Sequence, residues 1–341
     1  MSLPLDIHNQ KKIQKKMRLA YLYTESELTP WKENVNEATL NFLIANTPAN
    51  IEADIVHFDG FNDEVLDTLR NYDLIFNLCY GYEDAGQVEV AGWLEHNNLA
   101  HTASFFESMI KAQDKSLLPD ICNTLRIRTP EVFSSFHQLD DNILYLSKPR
   151  KGSCHRNITI QKGAWMKENL TIEGADLIIQ PYIPGREFSV AVIPSDKGQY
   201  YMALPPLEIV PENDSLIYVA GQSFGKTYRN FNPDLSDYQE DQLMLQAEAL
   251  HKVIGLKGMS RTDFRMSEDG TIFVLDVNAM PNMDPERSLM PALCLHHGVE
   301  ISNLIQRVIF NTLFIQEKSI GYKVQKNQVT GFINLPTFAE L

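Results

Sequence analysis

Residues 258–289 read GMSRTDFRMSEDGTIFVLDVNAMPNMDPERSL. Alternating side chains in TDFRM and TIFVLDVN flank the turn residues Glu268, Asp269 and Gly270, which predicts two antiparallel strands joined by a tight turn. Arg261 and Asp263 are two apart and project from one face of the first strand. Asp276 and Asn278 have the same spacing in the second, and a hairpin closing near Asp269 and Gly270 can bring the two pairs side by side. The polar outer face of an ordinary hairpin would carry such residues without any function. The setting argues otherwise, because Asp276 and Asn278 follow the apolar run Ile272, Phe273, Val274 and Leu275, where an acid is costly unless a cation pairs with it. Oxygen ligands of this kind suit Mg²⁺, a hard cation that takes waters and substrate phosphates as its other ligands. The segment from Met280 to Pro291 reads as a loop before the next helix.

Outward from this hairpin, a chain of 341 residues predicts two or three domains. A 44% hydrophobic and 22% charged composition is that of a folded globular protein. The net charge of −14 argues against a nucleic-acid-binding surface, which needs clustered Lys and Arg. It leaves nucleotides open, since a metal ion and a few local cations can neutralise a triphosphate. Cys79, Cys122, Cys154 and Cys294 form no C-x-x-C pair, so free thiols are expected. The first residues, MSLPLDIHNQKKIQKK, lead into a short strand-like MRLAYLY without the pattern of a signal peptide, and no apolar run approaches a membrane span. A cytoplasmic protein without membrane partners is the expectation.

MRLAYLY, IEADIVHFD and DLIFNLCYG read as strands separated by the helical patterns of WKENVNEATLNFLIANT and NDEVLDTLRNY. That order predicts an α/β, doubly wound parallel sheet over roughly the first hundred residues, with ligands beyond the carboxyl ends of its strands. Glu25, in the turn after Tyr23, and Tyr80, in the loop YGYEDAGQ, are therefore candidate substrate contacts. No G-x-G-x-x-G is present, which makes a nicotinamide site improbable. Ser104 to Arg126 is predicted helical, with Asp114 and Lys115 on it as a solvated pair. PEVF begins a strand, and NILYLSKPRKGS is a strand ending in Lys148. A basic turn follows (Arg150, Lys151, Gly152, Ser153, Cys154, His155, Arg156), and it reads either as a phosphate-holding loop or as a plain surface turn. ADLIIQPYIPGREFSVAVI gives two strands joined at Pro184 and Gly185, and the extended, proline-interrupted Gln180–Ile183 leaves backbone groups for a ligand. The polar, aromatic stretch from Glu212 to Pro233 has the length of a lid. DLSDYQEDQLMLQAEALHKVIG is an amphipathic helix with Leu243, Leu245, Ala247, Leu250 and Val253 inward and Gly255 past its end. Two helices close the chain, with 318–341 as a tail.

Taken together, KAQDK, LSKPRKGS, LIIQPYIPGREFSVAV, LEIVP, GMSRTDFRMSEDGTIFVLDVNAMPNM and ERSLMPA, in this order and spacing, resemble the D-alanine–D-alanine ligase branch of the ATP-grasp superfamily. The resemblance covers about residues 70–310 and is strongest from 177 onward. It implies an N-terminal Rossmann-like substrate domain (1–114), a small ATP-grasp subdomain (115–183) and a C-terminal ATP-grasp domain (184–317), the last two α+β. By position, Lys115 and Lys148 look like the lysines that contact the ATP phosphates, and Gly152, Ser153 and Cys154 like the loop closing over them, with Ser153 as a catalytic candidate. Gln180, Pro181, Tyr182 and Ile183 look like the adenine segment and Glu187 like the ribose partner. Asp263, Asp276 and Asn278 look like the Mg²⁺ ligands, which could equally take Mn²⁺. Arg261 looks like the oxyanion-stabilising guanidinium, and Ser288 with Leu289 like the loop holding the second substrate's carboxylate. The implied activity is ATP-dependent joining of a small-molecule carboxylate to an amino acid through an acylphosphate, in a homodimer.

Several positions depart from the family pattern. Asp276 stands for a glutamate, Asn282 for a glycine, and His155, Arg156 and Asn157 where a second loop glycine is usual. LCYGYEDAGQ and YTESEL replace the segments that bind the first D-alanine, and Lys226 is a poor match for the lid lysine. These departures predict an amino acid joined to a partner other than D-alanine, in a specialised pathway such as one making mycosporine-type conjugates. D-alanine–D-alanine ligation and a non-catalytic ATP-binding regulator are the alternatives.

Overall fold

The structure, a computed structural model, describes residues 16–24, 35–80, 86–133, 135–151, 158–170, 177–211 and 227–326, without the side chains of 227 and 317–326. Three strands, β1 (Met17–Tyr23), β2 (Ile51–His57) and β3 (Leu74–Leu78), form a parallel sheet in the order β2-β1-β3. Apolar side chains at nearly every position suit β1 and β3 to a sheet covered on both faces. Helices α1 (Glu37–Ala45) and α2 (Asp63–Leu69) make the crossovers, each started by an asparagine. Asn36 accepts from the Thr39 amide and Asn62 from the Val65 amide, satisfying otherwise orphaned helix donors.

After α3 (Gly86–His96), the predicted helix from 104 to 126 is two helices, α4 (Phe106–Gln113) and α5 (Leu118–Thr124). Asp114, in extended backbone, turns its carboxylate onto the Ser116 amide at 3.0 Å and ends α4, while Pro119 opens α5. Asp114 and Lys115 are consequently buried in the break rather than solvated on a helix.

A small antiparallel sheet follows, β4 (Leu144–Pro149), β5 (Thr159–Lys162) and β6 (Leu177–Pro181), in the order β5-β4-β6, with α6 (Gly163–Asn169) after β5. The strand expected at PEVF is a single bridge from Phe133 to Ile179. The larger sheet contains β7 (Arg186–Pro194), β8 (Tyr201–Ala203), β9 (Leu207–Pro211), β10 (Thr227–Asn230), β11 (Ser260–Met266) and β12 (Ile272–Asn278), in the order β10-β9-β7-β11-β12 with β8 on β7. The two strands flanking Pro184 and Gly185 thus belong to different sheets. Gly185 (φ +138°) lets the chain cross between them, and a Cβ there would lie 2.0 Å from the Met266 carbonyl oxygen.

One face of the larger sheet carries Phe188, Val190, Val192, Phe264 and Val274 against α7 (Asp237–Ile254). That helix has a reciprocal Ser236–Gln239 capping box and ends at left-handed Gly255. It buries Leu243, Ala247, Leu250, His251 and Ile254, whereas Leu245 and Val253 are exposed, contrary to the sequence expectation. The i, i+4, i+7, i+8, i+11 stripe begins at Leu243, and Leu245 lies about 200° round from it. The opposite face of β7 carries Ala191 and Ile193 into a second core with β1, β3, α8 (Leu289–His296) and α9 (Ile301–Lys326). Helix α8 already includes Pro291, and α9 runs into the predicted tail. No helix among the described residues is long and apolar enough to cross a membrane.

The N-terminal part meets the larger sheet at the turn between α7 and β11. Lys257 donates to the His101 carbonyl at 2.9 Å and lies 4.5 Å over the Phe105 ring, while Ser104 Oγ accepts from the Lys257 amide at 3.0 Å. Burial pushes the Lys257 ammonium down to about 7. In the unfolded chain it stays protonated to about pH 10, so between these values the unfolded state holds the extra proton and stability rises with pH. Urea unfolding of the wild type at pH 7 and pH 9 should show that gain, at most about 1.4 kcal/mol per pH unit. Lys257→Met should lack it, and an equal gain in the variant would locate the effect elsewhere.

Candidate functional site

The β11–β12 hairpin closes as its sequence predicts. Ser267 donates its amide to the Thr271 carbonyl at 2.9 Å, and Gly270 adopts φ +82°. In its register Arg261 lies opposite Asn278 and Asp263 opposite Asp276. The two polar pairs therefore share one face, the face away from α7. Asp263 is buried and holds three short contacts: Ser189 Oγ of β7 donates at 2.6 Å, and Arg261 donates through Nε and Nη2 at 2.9 Å each. This fork fixes both side chains without any ligand.

A β-bulge follows at once. The register shifts between Asp263 and Phe264, so Leu275 has no opposite number on β11. Bulges turn backbone groups out of the ladder, and the Leu275 carbonyl accepts from Lys148 Nζ at 3.1 Å. Lys148 comes from β4 in the small sheet, so this bond ties that sheet to the hairpin. Lys115 Nζ lies 3.9 Å from Asp276. Its amide donates to the Arg150 carbonyl at 3.0 Å, and Arg150 pairs through Nε and Nη2 with the Asp114 carboxylate at 2.8 and 2.5 Å. Burial raises the Asp114 carboxyl, but the bonds from Arg150 and Ser116 outweigh it and hold the group at about 2. Burial pushes the Lys148 ammonium down to about 8, with Asp276 opposing and Lys115 adding to the fall.

Glu187 faces the same way as Ser189 from β7, opposite Arg265 of β11. Burial lifts its carboxyl to about 7 against the pull of Arg265, whose Nη1 lies 3.3 Å away. Gln180 lies on β6 and donates from Nε2 to the Pro130 carbonyl at 3.3 Å, and Tyr182 donates its amide to the Leu144 carbonyl at 2.9 Å. Pro181, Tyr182 and Ile183 are half-buried on this sheet edge. Ser288 occupies the N-cap position of α8 without a side-chain cap bond, Leu289 packs against the core, and Tyr80 donates to the Pro281 carbonyl at 3.3 Å in the loop after the hairpin. Glu25, Gly152, Ser153, Cys154 and the greater part of the predicted lid, from 212 to 226, lie outside the described residues.

Sequence reasoning missed Ser189, Arg265 and the Asp114–Arg150 fork as parts of the site. Ser189 and Arg265 were legible as site-facing only by parity with Glu187 and Asp263. Asp263, Asp276 and Asn278 offer two carboxylates and an amide, a donor set of hard oxygens that fits a small divalent ion. No group of three or more His, Cys, Asp or Glu suited to a metal occurs among the described residues. Any ion would therefore complete its shell with waters or phosphate oxygens.

A parallel sheet followed by two antiparallel sheets that meet at a charged hairpin is the fold of an ATP-grasp ligase. The structure overlays the D-alanine–D-alanine ligase of Bacillus anthracis complexed with ATP at a TM-score of 0.72 and 20% identity, over 89% of this chain and 99% of that one. Residues 164–310 match the family described as D-ala D-ala ligase C-terminus. A D-alanine–D-alanine ligase of Anaeromyxobacter sp. (strain Fw109-5) is 27% identical over 235 residues, 64% of this chain and 73% of that protein. Another, of Geobacillus thermodenitrificans (strain NG80-2), is 35% identical over 133 residues, 39% of this chain and 35% of that protein. Residues 164–310 thus carry the C-terminal module of the D-ala D-ala ligase family, on a chain whose fold is that of the D-alanine–D-alanine ligases.

The buried Ser189–Asp263 bond should matter to the fold itself. A hydrogen bond to a charged group contributes roughly 1.5–3 kcal/mol, so Ser189→Ala should lower unfolding free energy by about that amount in urea titration. A loss below about 0.5 kcal/mol would show that Arg261 alone suffices to hold Asp263.

Proposed function

We propose that this protein is an ATP-dependent carboxylate–amine ligase that joins two small amino acids, with D-alanine as the leading substrate at both positions. The observation that carries the ligase reading is the convergence of Lys115 and Lys148 on a hairpin face that presents Arg261, Asp263, Asp276 and Asn278. The relatives, named D-alanine–D-alanine ligases, favour D-alanine over the specialised conjugate that the sequence departures suggested.

In this reading Lys115 and Lys148 hold the phosphates of ATP, Gln180 to Ile183 line the adenine, and Glu187 accepts from the ribose hydroxyls. Asp263, Asp276 and Asn278 would hold Mg²⁺, which offsets phosphate charge when bound. The first substrate's carboxylate attacks the γ-phosphorus, the bond to the ADP oxygen breaks, and an acylphosphate forms. The second substrate's amine then attacks the acyl carbon. Arg261, already aimed by its fork onto Asp263, stabilises the resulting oxyanion, and phosphate leaves as the amide forms. Positioning and preorganised charge supply the acceleration.

A second reading, in which the acceptor amine is not D-alanine, is supported by Asn282. Its Oδ1 accepts from the Asp284 amide at 2.8 Å, at a position where the family pattern has glycine, in the loop leading to Ser288 and Leu289.

Phosphate release with ATP, Mg²⁺ and a panel containing D-alanine, L-alanine, D-serine and other small amines decides between the two, with the dipeptide identified by mass spectrometry. ATP binding without release on any member would instead indicate a regulator. Arg261→Ala should bind ATP within about threefold of wild type and lose amide formation by about 100-fold or more, the scale of a lost oxyanion donor. Unimpaired product formation would remove Arg261 from the chemistry.

A further inference from the structure

Arg265 has no assigned part in the ligation chemistry, yet it is among the most buried charged side chains of the molecule, at 7% side-chain exposure. It reaches three groups at the same end of the site. Nη1 lies 3.3 Å from Glu187 Oε2, Nη2 donates to Tyr182 Oη at 3.2 Å and to the Gly185 carbonyl at 3.4 Å, and the guanidinium stands 5.2 Å from the centre of the Tyr182 ring. Glu187 is on β7 and Tyr182 follows β6, so one cation bridges the larger sheet, the end of the small sheet and the crossing between them.

Position along the strand gives this bridge a ligand. On β7 the site face runs from Ser189, bonded to Asp263, to Glu187, two residues on. Two strand residues advance about 6.6–6.8 Å, comparable to the reach from the phosphates of a nucleotide to its sugar hydroxyls. A nucleotide with phosphates at Lys148 and Asp263 would therefore bring a vicinal diol to Glu187. A carboxylate accepts both hydroxyls of a diol only if it is charged and correctly turned. Arg265 fixes the turn of the Glu187 carboxylate and draws it towards the charged form against the effect of burial.

We propose that Arg265 is a positioning residue for ribose recognition, holding Glu187 and Tyr182 as a preformed receptor for the sugar diol of the nucleotide. The inference rests on the ligase reading above and extends it from the phosphates to the sugar. An ordinary satisfied ion pair would stabilise the fold and leave the choice among nucleotides untouched.

Calorimetric titration of the full chain with the Mg²⁺ complexes of ATP, 2′-deoxy-ATP and 3′-deoxy-ATP separates the two, without any amino acid present. Wild type should prefer ATP over each deoxy analogue by about tenfold, the scale of one hydrogen bond to a charged acceptor. Arg265→Met should bind ATP about tenfold more weakly and prefer it by no more than about twofold. Arg265→Lys should recover part of the preference. An unchanged ATP preference in Arg265→Met, or an equal loss of affinity for all three nucleotides, overturns the proposal. Should Arg265→Met fail to fold, Tyr182→Phe decides the question: a reduced ATP preference supports the assignment, and a full one overturns it. Wild type that binds no ATP would overturn the ligase reading as well, whereas a wild-type preference that survives both substitutions overturns only the role of Arg265.

Discussion

A carboxylate in the interior of a central strand must be met by donors before the strand can be buried, and Asp263 sets that condition for the larger sheet. Its donors are local: Arg261 two residues back on β11 and Ser189 across the ladder on β7. Because strand neighbours alternate faces, the condition divides the sheet. Ser260, Thr262, Phe264 and Met266 turn to α7, with Ser260 Oγ 2.7 Å from His251 Nδ1, while Arg261, Asp263 and Arg265 turn to the site. Glu187 and Ser189 follow on β7, and the same face becomes apolar further along, at Ala191 and Ile193, where α8, α9 and the parallel sheet cover it. One strand thus serves a core on one side and, on the other, a charged patch that grades into a second core.

Joining the small sheet to this face is the work of single long side chains. Lys148 crosses to the carbonyl freed by the bulge at Leu275, and Lys115 crosses to Asp276. Both lysines leave backbone held by other bonds, Lys148 within the β4–β6 ladder and Lys115 at the break stabilised by the Asp114–Arg150 fork. The cations are therefore fixed at their roots and reach out at their tips, an arrangement suited to changing partner when phosphate oxygens arrive.

Much of this was legible in the chain, for identifiable reasons. The period-two runs of the hairpin, the Asp269–Gly270 turn and the mostly apolar β1 and β3 carry strong local signals, but the register that sets Asp263 opposite Asp276 depends on the bulge. The bulge left no such signal, because Leu275 differs from its apolar neighbours only in having no partner opposite. Asp114 and Lys115 read as a solvated pair since a helical pattern continued through them. A carboxylate that accepts from the amide two residues on can stop a helix without glycine or proline at the stop, and Pro119 marked only the restart. Ser189 and Arg265 escaped notice because their significance depends on how β7 pairs with β11, strands separated by some seventy residues of chain. The substrate side was the least legible: Glu25 and the Gly152–Cys154 loop fall outside the described residues, and the hydrogen bond from Tyr80 to the Pro281 carbonyl fits several substrates.

Local charge explains how so acidic a protein can present a site for a polyanion. The chain carries −14 overall, yet around the hairpin Lys115, Lys148, Arg261 and Arg265 stand against Asp263, Asp276 and Glu187. Four cations facing three carboxylates in a buried setting leave a small positive excess where the dielectric is low and each charge acts strongly. The chain's net negative charge would repel a long polyanion such as a nucleic acid while leaving this cationic patch attractive to a short one. The burial that lifts Glu187 and lowers Lys148 acts in the same sense on both, against the charged form. A nucleotide's phosphates would push the Lys148 ammonium back up, securing the charge that burial opposes.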